Sequence, residues 1–124
     1  MKIISRTFHA LLDYLSAAVL VVAPWVIEFE DQIPATVVAV LSGLIILTMS
    51  FVTNYEGGKL NIISMRMHLN LDLLLGAMLA ASPWLLHFSD EIYLPHLITG
   101  IIIVLSGLLT ERRSMNEDAA RYRY

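Results

Sequence analysis

The chain has 124 residues, 57% of them hydrophobic and 15% charged, with a net charge of −3 and no cysteine. An ordinary soluble domain is roughly half apolar or less, so this composition argues against one. The missing thiols exclude disulfides, thiolate metal sites and thiol redox catalysis.

Apolar residues concentrate in four stretches, at about 11–27, 35–52, 69–86 and 97–109. Lys2 and Arg6 precede the first of them, as in a secretory leader. The embedded Asp13, the lack of a small-x-small cleavage site followed by a soluble chain, and the near-copy of this run in the third helix predict that this helix is retained. It carries His9 and Asp13 near its start and Pro24-Trp25 near its end. An acidic turn with Glu28, Glu30 and Asp31 follows, and Pro34 opens the second helix, where a missing N–H costs least.

Asn54-Tyr55-Glu56-Gly57-Gly58 reads as a turn. The rest of the central loop, up to Arg66, is mildly amphipathic and suits a headgroup region. The third helix carries His68, Asp72 and Ser82-Pro83-Trp84; a second acidic turn holds Asp90 and Glu91, and Pro95 starts the fourth helix. After Glu111 the tail is too polar for a core, so it is expected to be a short exposed helix or disordered.

Each apolar stretch, with its flanks, approaches the ~20 residues that cross a ~30 Å hydrocarbon core. Four such helices with almost no polar face would leave no surface for water. The expectation is an all-α transmembrane protein, a four-helix bundle in one membrane domain.

Pro24-Trp25, Phe29 and Asp31 recur as Pro83-Trp84, Phe88 and Asp90, and His9-x3-Asp13 recurs as His68-x3-Asp72, all 59 residues apart. A long period carrying rare polar residues marks a duplicated unit. The units are two tandem helical hairpins: repeat 1 at about 8–54, a central loop at 55–67, repeat 2 at about 68–110 and a tail at 111–124. Leu41-Ser42-Gly43-Leu44 is echoed by Leu105-Ser106-Gly107-Leu108 at an offset of 64, which implies an outer turn or helix start of different length. Because each unit crosses twice, the copies are expected to be related by a pseudo-two-fold axis along the membrane normal.

All eight Lys and Arg residues fall on one side of that topology: Lys2 and Arg6, Lys59 and Arg66, then Arg112, Arg113, Arg121 and Arg123. The positive-inside rule puts both termini in the cytoplasm of a multi-pass cytoplasmic (inner) membrane protein.

The Pro-Trp pairs are read as helix kinks or ends, the freed carbonyls satisfied by neighbouring helices or hydroxyls. Trp25 and Trp84 are read as interfacial anchors. Two-helix units with Ser-Pro-Trp in the first helix resemble the SPW-repeat family. Ala81-Ser82-Pro83-Trp84 carries that signature intact, whereas Val22-Ala23-Pro24-Trp25 has alanine at the serine position. The resemblance covers both hairpins, roughly His9 to Leu109, and implies a bacterial or archaeal membrane protein; it supplies the fold rather than an activity.

His9 and Asp13 share one helix face, as do His68 and Asp72. The stripe continues through Ala17 and Pro24 on helix 1 and through Gly76, Ala80 and Pro83 on helix 3, small residues of the kind that mark close helix approach. The four side chains are therefore expected to converge inside the bundle near its cytoplasmic end. Three readings stand. Each Asp is satisfied structurally, by its own His, by Arg6 or Arg66, or by first-turn N–H groups. Alternatively the four form a proton- or cation-handling site, or a transition-metal site of imidazole and carboxylate ligands.

The outer acids read as a solvated rim, and His87 and His96 as solvated interfacial histidines. Met65, Met67 and Met78 read as lipid-facing or packing residues. Ala39-x3-Gly43 is a close-packing face, within the chain or between copies. No catalytic or nucleotide motif is present. The preferred reading is a non-enzymatic structural or interaction protein of the membrane, needing no cofactor. Its partners are the lipid bilayer and a homo-oligomer or another membrane protein, with no nucleic acid. The alternative is a transporter, channel or sensor subunit that uses His9, Asp13, His68 and Asp72.

Overall fold

A computed structural model describes residues 3–123; Lys2, assigned above to the cytoplasmic side, lies outside them. The chain is all-helical, with α1 Arg6–Val26, α2 Ile33–Val52, α3 Met65–Leu85, α4 Leu94–Leu109 and a short α5 Met115–Arg121. The described residues hold no strand, only isolated bridges between Ile4 and Thr110 and between Thr53 and Ile63.

Local chemistry explains the helix starts. Ser5 and Ser64 accept from the N–H groups of Phe8 and Met67, each at 3.2 Å, and so cap α1 and α3. The second cap corrects the expected loop boundary: α3 begins at Met65, so the segment read as loop up to residue 67 already contains its first turn. α2 and α4 have no side-chain cap and begin with Pro34 and Pro95 in the first turn. α5 carries a capping box between Ser114 and Glu117, which makes the tail a helix.

The Pro-Trp pairs end helices rather than kinking them. Pro24 and Pro83 lie in the last turns of α1 and α3. Glu28 and His87 then adopt positive φ, 60° and 57°. Phe29 N–H donates to the Pro24 carbonyl and Phe88 N–H to the Pro83 carbonyl, both at 2.8 Å, which is a Schellman closure with a non-glycine residue in the left-handed position. Pro83 also deprives the Leu79 carbonyl of its helical donor. Ser82 Oγ supplies the replacement at 2.7 Å, which gives the serine of the Ser-Pro-Trp triplet a physical role. Ala23 has no hydroxyl to do the same for Leu20.

α1 packs mainly on α2 and α3 mainly on α4, with lesser α1–α4 and α2–α3 contacts. The closest approaches run through glycine. A Cβ on Gly43 would sit 2.9 Å from the Ala17 carbonyl oxygen, and one on Gly100 would sit 2.6 Å from that of Gly76. Ala39 is fully buried and Gly43 packs on α1, so that face closes within the chain. Since Ala17 and Gly76 are equivalent in the 59-residue repeat, Gly43 corresponds to Gly100, an offset of 57. The Leu-Ser-Gly echo at 64 therefore does not align the two helices: Gly107 packs near Asp72 instead. α2 and α4 start 61 residues apart and end 57 apart, so the second outer turn is longer and α4 shorter.

The side-chain distribution is the reverse of a soluble protein's. Small or polar residues such as Ala17, Ser42, Ser82, Thr99 and Ser106 are buried, while Leu15, Val22, Leu41, Leu44, Leu74, Met78, Ile101 and Leu105 are exposed. An apolar exterior this extensive needs an apolar medium or a partner. By length and composition α1 and α2 suffice to cross a membrane. α4 is apolar but has 16 residues, and α3 has 21 but carries Arg66, His68, Asn70 and Asp72 in its first half. Trp25 and Trp84 are exposed at the outer helix ends, and Trp84 packs on Tyr93 with ring centroids 5.7 Å apart.

Candidate functional site

The end where α1 and α3 begin is tied together by backbone pairing. Ile3 and Ile4 donate to the Leu109 carbonyl, and Ile62 and Ile63 donate to that of Val52. The segment preceding each first helix is thus fastened to the end of the other hairpin's second helix. Ile3-Ile4-Ser5 and Ile62-Ile63-Ser64 are themselves 59 residues apart, an extension of the repeat that the histidine-based reading overlooked.

This pairing brings His9, Asp13, His68 and Asp72 into one cluster, each at most 3% exposed. His9 Nε2 lies 3.2 Å from His68 Nε2. His9 Nε2 is 3.3 Å from Asp13 Oδ1 and 3.1 Å from Asp72 Oδ2. His68 Nε2 is 3.1 Å from Asp13 Oδ2 and 3.2 Å from Asp72 Oδ2. Each imidazole therefore contacts the carboxylates of both helices. The expected convergence occurs.

The opposite ring nitrogens are held by hydroxyls. Thr110 Oγ1 is 2.9 Å from His9 Nδ1, and Thr53 Oγ1 is 2.7 Å from His68 Nδ1. Both threonine hydroxyls donate to carbonyls one turn back, Ser106 and Met49, each at 2.6 Å. Their protons being committed there, the oxygens act as acceptors, which assigns the hydrogen of each neutral ring to Nδ1. Each Nε2 then presents a lone pair to the centre of the cluster.

The two carboxylates are not equivalent. Asp13 Oδ2 accepts from Ser50 Oγ at 2.8 Å and from the Tyr55 hydroxyl at 3.0 Å. At the offset of 57, the counterpart of Ser50 is Gly107, whose added Cβ would meet Asp72 Cβ at 3.3 Å but which offers no hydroxyl. Among the described residues no hydroxyl or other hydrogen-bond donor serves either Asp72 oxygen, although both are buried; the nearest polar atoms are the Nε2 atoms of His9 and His68, 3.1 and 3.2 Å from Oδ2. Buried carboxylates demand compensating positive charge. Neither arginine named as a partner supplies it: Arg6 pairs with Glu56 at 2.8 Å and Asp118 at 2.7 Å, and Arg66 lies 3.5 Å from Glu117.

The central loop and tail cover the cluster. Tyr55 and Met65 are fully buried over it, so Met65 packs inside rather than facing lipid. Ser114 Oγ accepts from Met65 N–H at 2.9 Å, and Met115 N–H donates to the Asn54 carbonyl at 3.3 Å. Arg112 bonds Asn70 across the same end. The Arg6 guanidinium holds the Glu56 carboxyl below its ordinary range. Burial first, and the Asp13 charge second, push the Tyr55 phenol far up, so it stays a neutral donor.

Sequence reasoning did not reach Ser50, Thr53, Tyr55 or Thr110. The available signal was a threonine closing each second helix, Thr53 and Thr110, at the offset of 57. His96 also differs from expectation. It is fully buried, donates from Nε2 to the Ala35 carbonyl at 2.9 Å, and packs against Phe29 and Phe88 with ring centroids 5.8 and 4.9 Å apart.

The model of the SPW repeat domain matches residues 7–110. No curated protein and no solved structure matches the chain.

Proposed function

We propose that this chain, which belongs to the SPW repeat family, is an integral membrane protein built around a cation-binding centre of His9, Asp13, His68 and Asp72. α1–α4 cross the bilayer as a four-helix bundle of two tandem hairpins, related by a pseudo-two-fold axis along the membrane normal. Supporting this are the outward-facing Leu, Ile and Val residues on all four helices, with small and polar residues buried between them. The short α4 spans with help from its flanks and from local bilayer thinning. The termini lie in the cytoplasm of the cytoplasmic membrane, because the Lys and Arg residues among the described ones gather at the end where α1 and α3 begin.

The observation that carries the functional reading is the convergence of two imidazole lone pairs and two carboxylates, with no Arg or Lys among them. Two negative charges in a sealed, low-dielectric site require one or more cations, protons or metal. This favours a cation-handling protein over a purely structural one. The role is non-enzymatic, and a second copy or another membrane protein is the partner expected on the apolar exterior.

The test measures thermal unfolding of the full chain in detergent against pH and added cations. The wild type should respond to at least one, and Asp13→Asn plus Asp72→Asn should fold yet lose the response. A wild type indifferent to every cation and to pH would sink the reading. Because the chain lacks cysteine, single cysteines at Lys59 and Asp90 test orientation in intact cells: only the second should label from outside.

A further inference from the structure

The geometry points to the His9/Asp13/His68/Asp72 centre as a resident site for one divalent first-row transition-metal ion, held by two imidazoles and two carboxylates. This rests on the cation-binding reading above and names the class of cation. Tetrahedral coordination with metal–ligand bonds of ~2.0–2.1 Å sets neighbouring ligand atoms ~3.3 Å apart. His9 Nε2, His68 Nε2 and Asp72 Oδ2 form a triangle with sides of 3.2, 3.1 and 3.2 Å, and Asp13 adds either Oδ1, 3.3 Å from His9 Nε2, or Oδ2, 3.1 Å from His68 Nε2. One ligand atom from each residue can be chosen so that all lie within 4.8 Å of one another. The two nitrogens and Asp72 Oδ2 have the spacing of one face of a small tetrahedral ion's ligand set, and neither Ca2+ nor Mg2+ suits a site half made of imidazole.

The proton alternative fits less well. Protonating both rings neutralises the carboxylates but turns two Nε2–H groups toward each other at 3.2 Å. A dication neutralises the same two charges and accepts all four lone pairs. Each ring's Nδ1–H is already fixed by Thr53 or Thr110, the outer-shell hydrogen bond that orients a metal-ligating histidine. Ser50 and Tyr55 fix Asp13 likewise. Asp72, buried and served by no hydroxyl among the described residues, keeps its lone pairs for the ion. Burial beneath Tyr55 and Met65 favours a resident ion over a transported one.

The experiment titrates Co2+ into detergent-solubilised, chelator-treated full-length protein and reads visible absorption. One Co2+ per chain with the intense spectrum of four-coordinate cobalt, displaced by Zn2+, is the expected result. Asp72→Asn should weaken binding at least about tenfold, and Thr53→Val or Thr110→Val about 10- to 100-fold, with Thr→Ser restoring it. Absent or weak octahedral absorption would overturn the assignment, as would affinity unchanged in Asp72→Asn, which marks adventitious binding elsewhere. If Co2+ fails while Asp13→Asn plus Asp72→Asn still abolishes a pH response, the metal falls and the cation-binding centre stands. If both signals are missing, both fall.

Discussion

Thr110, which caps α4, holds His9 of α1 from the far end of the sequence, its Oγ1 2.9 Å from His9 Nδ1. The same hydroxyl donates to Ser106, so one side chain ends a helix and fixes a tautomer. Thr110→Val removes the acceptor of a buried ring N–H, and the expected loss is ~1–3 kcal/mol of stability. Thr110→Ser should recover most of it. Thermal unfolding in detergent checks both; equal midpoints for Val and Ser would remove the hydrogen bond from the account.

Ser82 answers the carbonyl that Pro83 leaves without a donor. Ser82→Ala should therefore destabilise by ~1–3 kcal/mol, the penalty of a buried unpaired acceptor. Ala23→Ser supplies the missing hydroxyl near Leu20 and should be neutral or stabilising. A denaturant-midpoint comparison of the two variants decides; losses of similar size would refute the distinction.

Backbone approach ranks the glycines. A methyl on Gly100 would meet Gly76 O and Ala80 N at 2.6 Å, whereas one on Gly107 has its nearest neighbour at 3.3 Å. Gly100→Ala should cost ~1–3 kcal/mol or more through overpacking against a backbone that cannot yield. Gly107→Ala should cost clearly less, by the same unfolding measurement. The reverse order would mean that α3 and α4 are not packed as described.

The tail should loosen in acid. Arg6 donates to Glu56 and, with Asp118, anchors α5 over the central loop. Because the folded Glu56 carboxyl sits below its ordinary range, its contribution is complete above the usual ~4.3 and is lost as pH falls through the lowered value. Protease cleavage near Arg121 should accelerate in that window, modestly, since Glu56 is partly exposed. Glu56→Gln should cleave at the faster rate already at neutral pH; a wild-type-like rate there would refute the anchor.

The helical hairpins, the 59-residue repeat, the Pro-Trp helix ends and the convergence of His9, Asp13, His68 and Asp72 were all legible in the chain. Each depends on spacing along one helix or on a duplicated pattern, and local periodicity carries both. The offset of 57 between α2 and α4 was not legible, because Leu-Ser-Gly recurs at 64 and only the contacts of Gly43 and Gly100 reveal the true alignment. His96 was misread for a similar reason: its burial depends on Phe29 and Phe88, which flank it only after the outer turns fold back.

What the sequence determined alone was which residues would be costly to bury, since ionisable groups in apolar helices carry that cost wherever the helices go. What only the tertiary structure decided was how the cost is met. Thr53 and Thr110 reach histidines of the opposite hairpin, Ser50 and Tyr55 serve Asp13, and among the described residues no hydroxyl serves Asp72. Hydrogen bonds require contact within about 3 Å, and residues 15 to 101 positions apart are brought that close only by the packing of the helices.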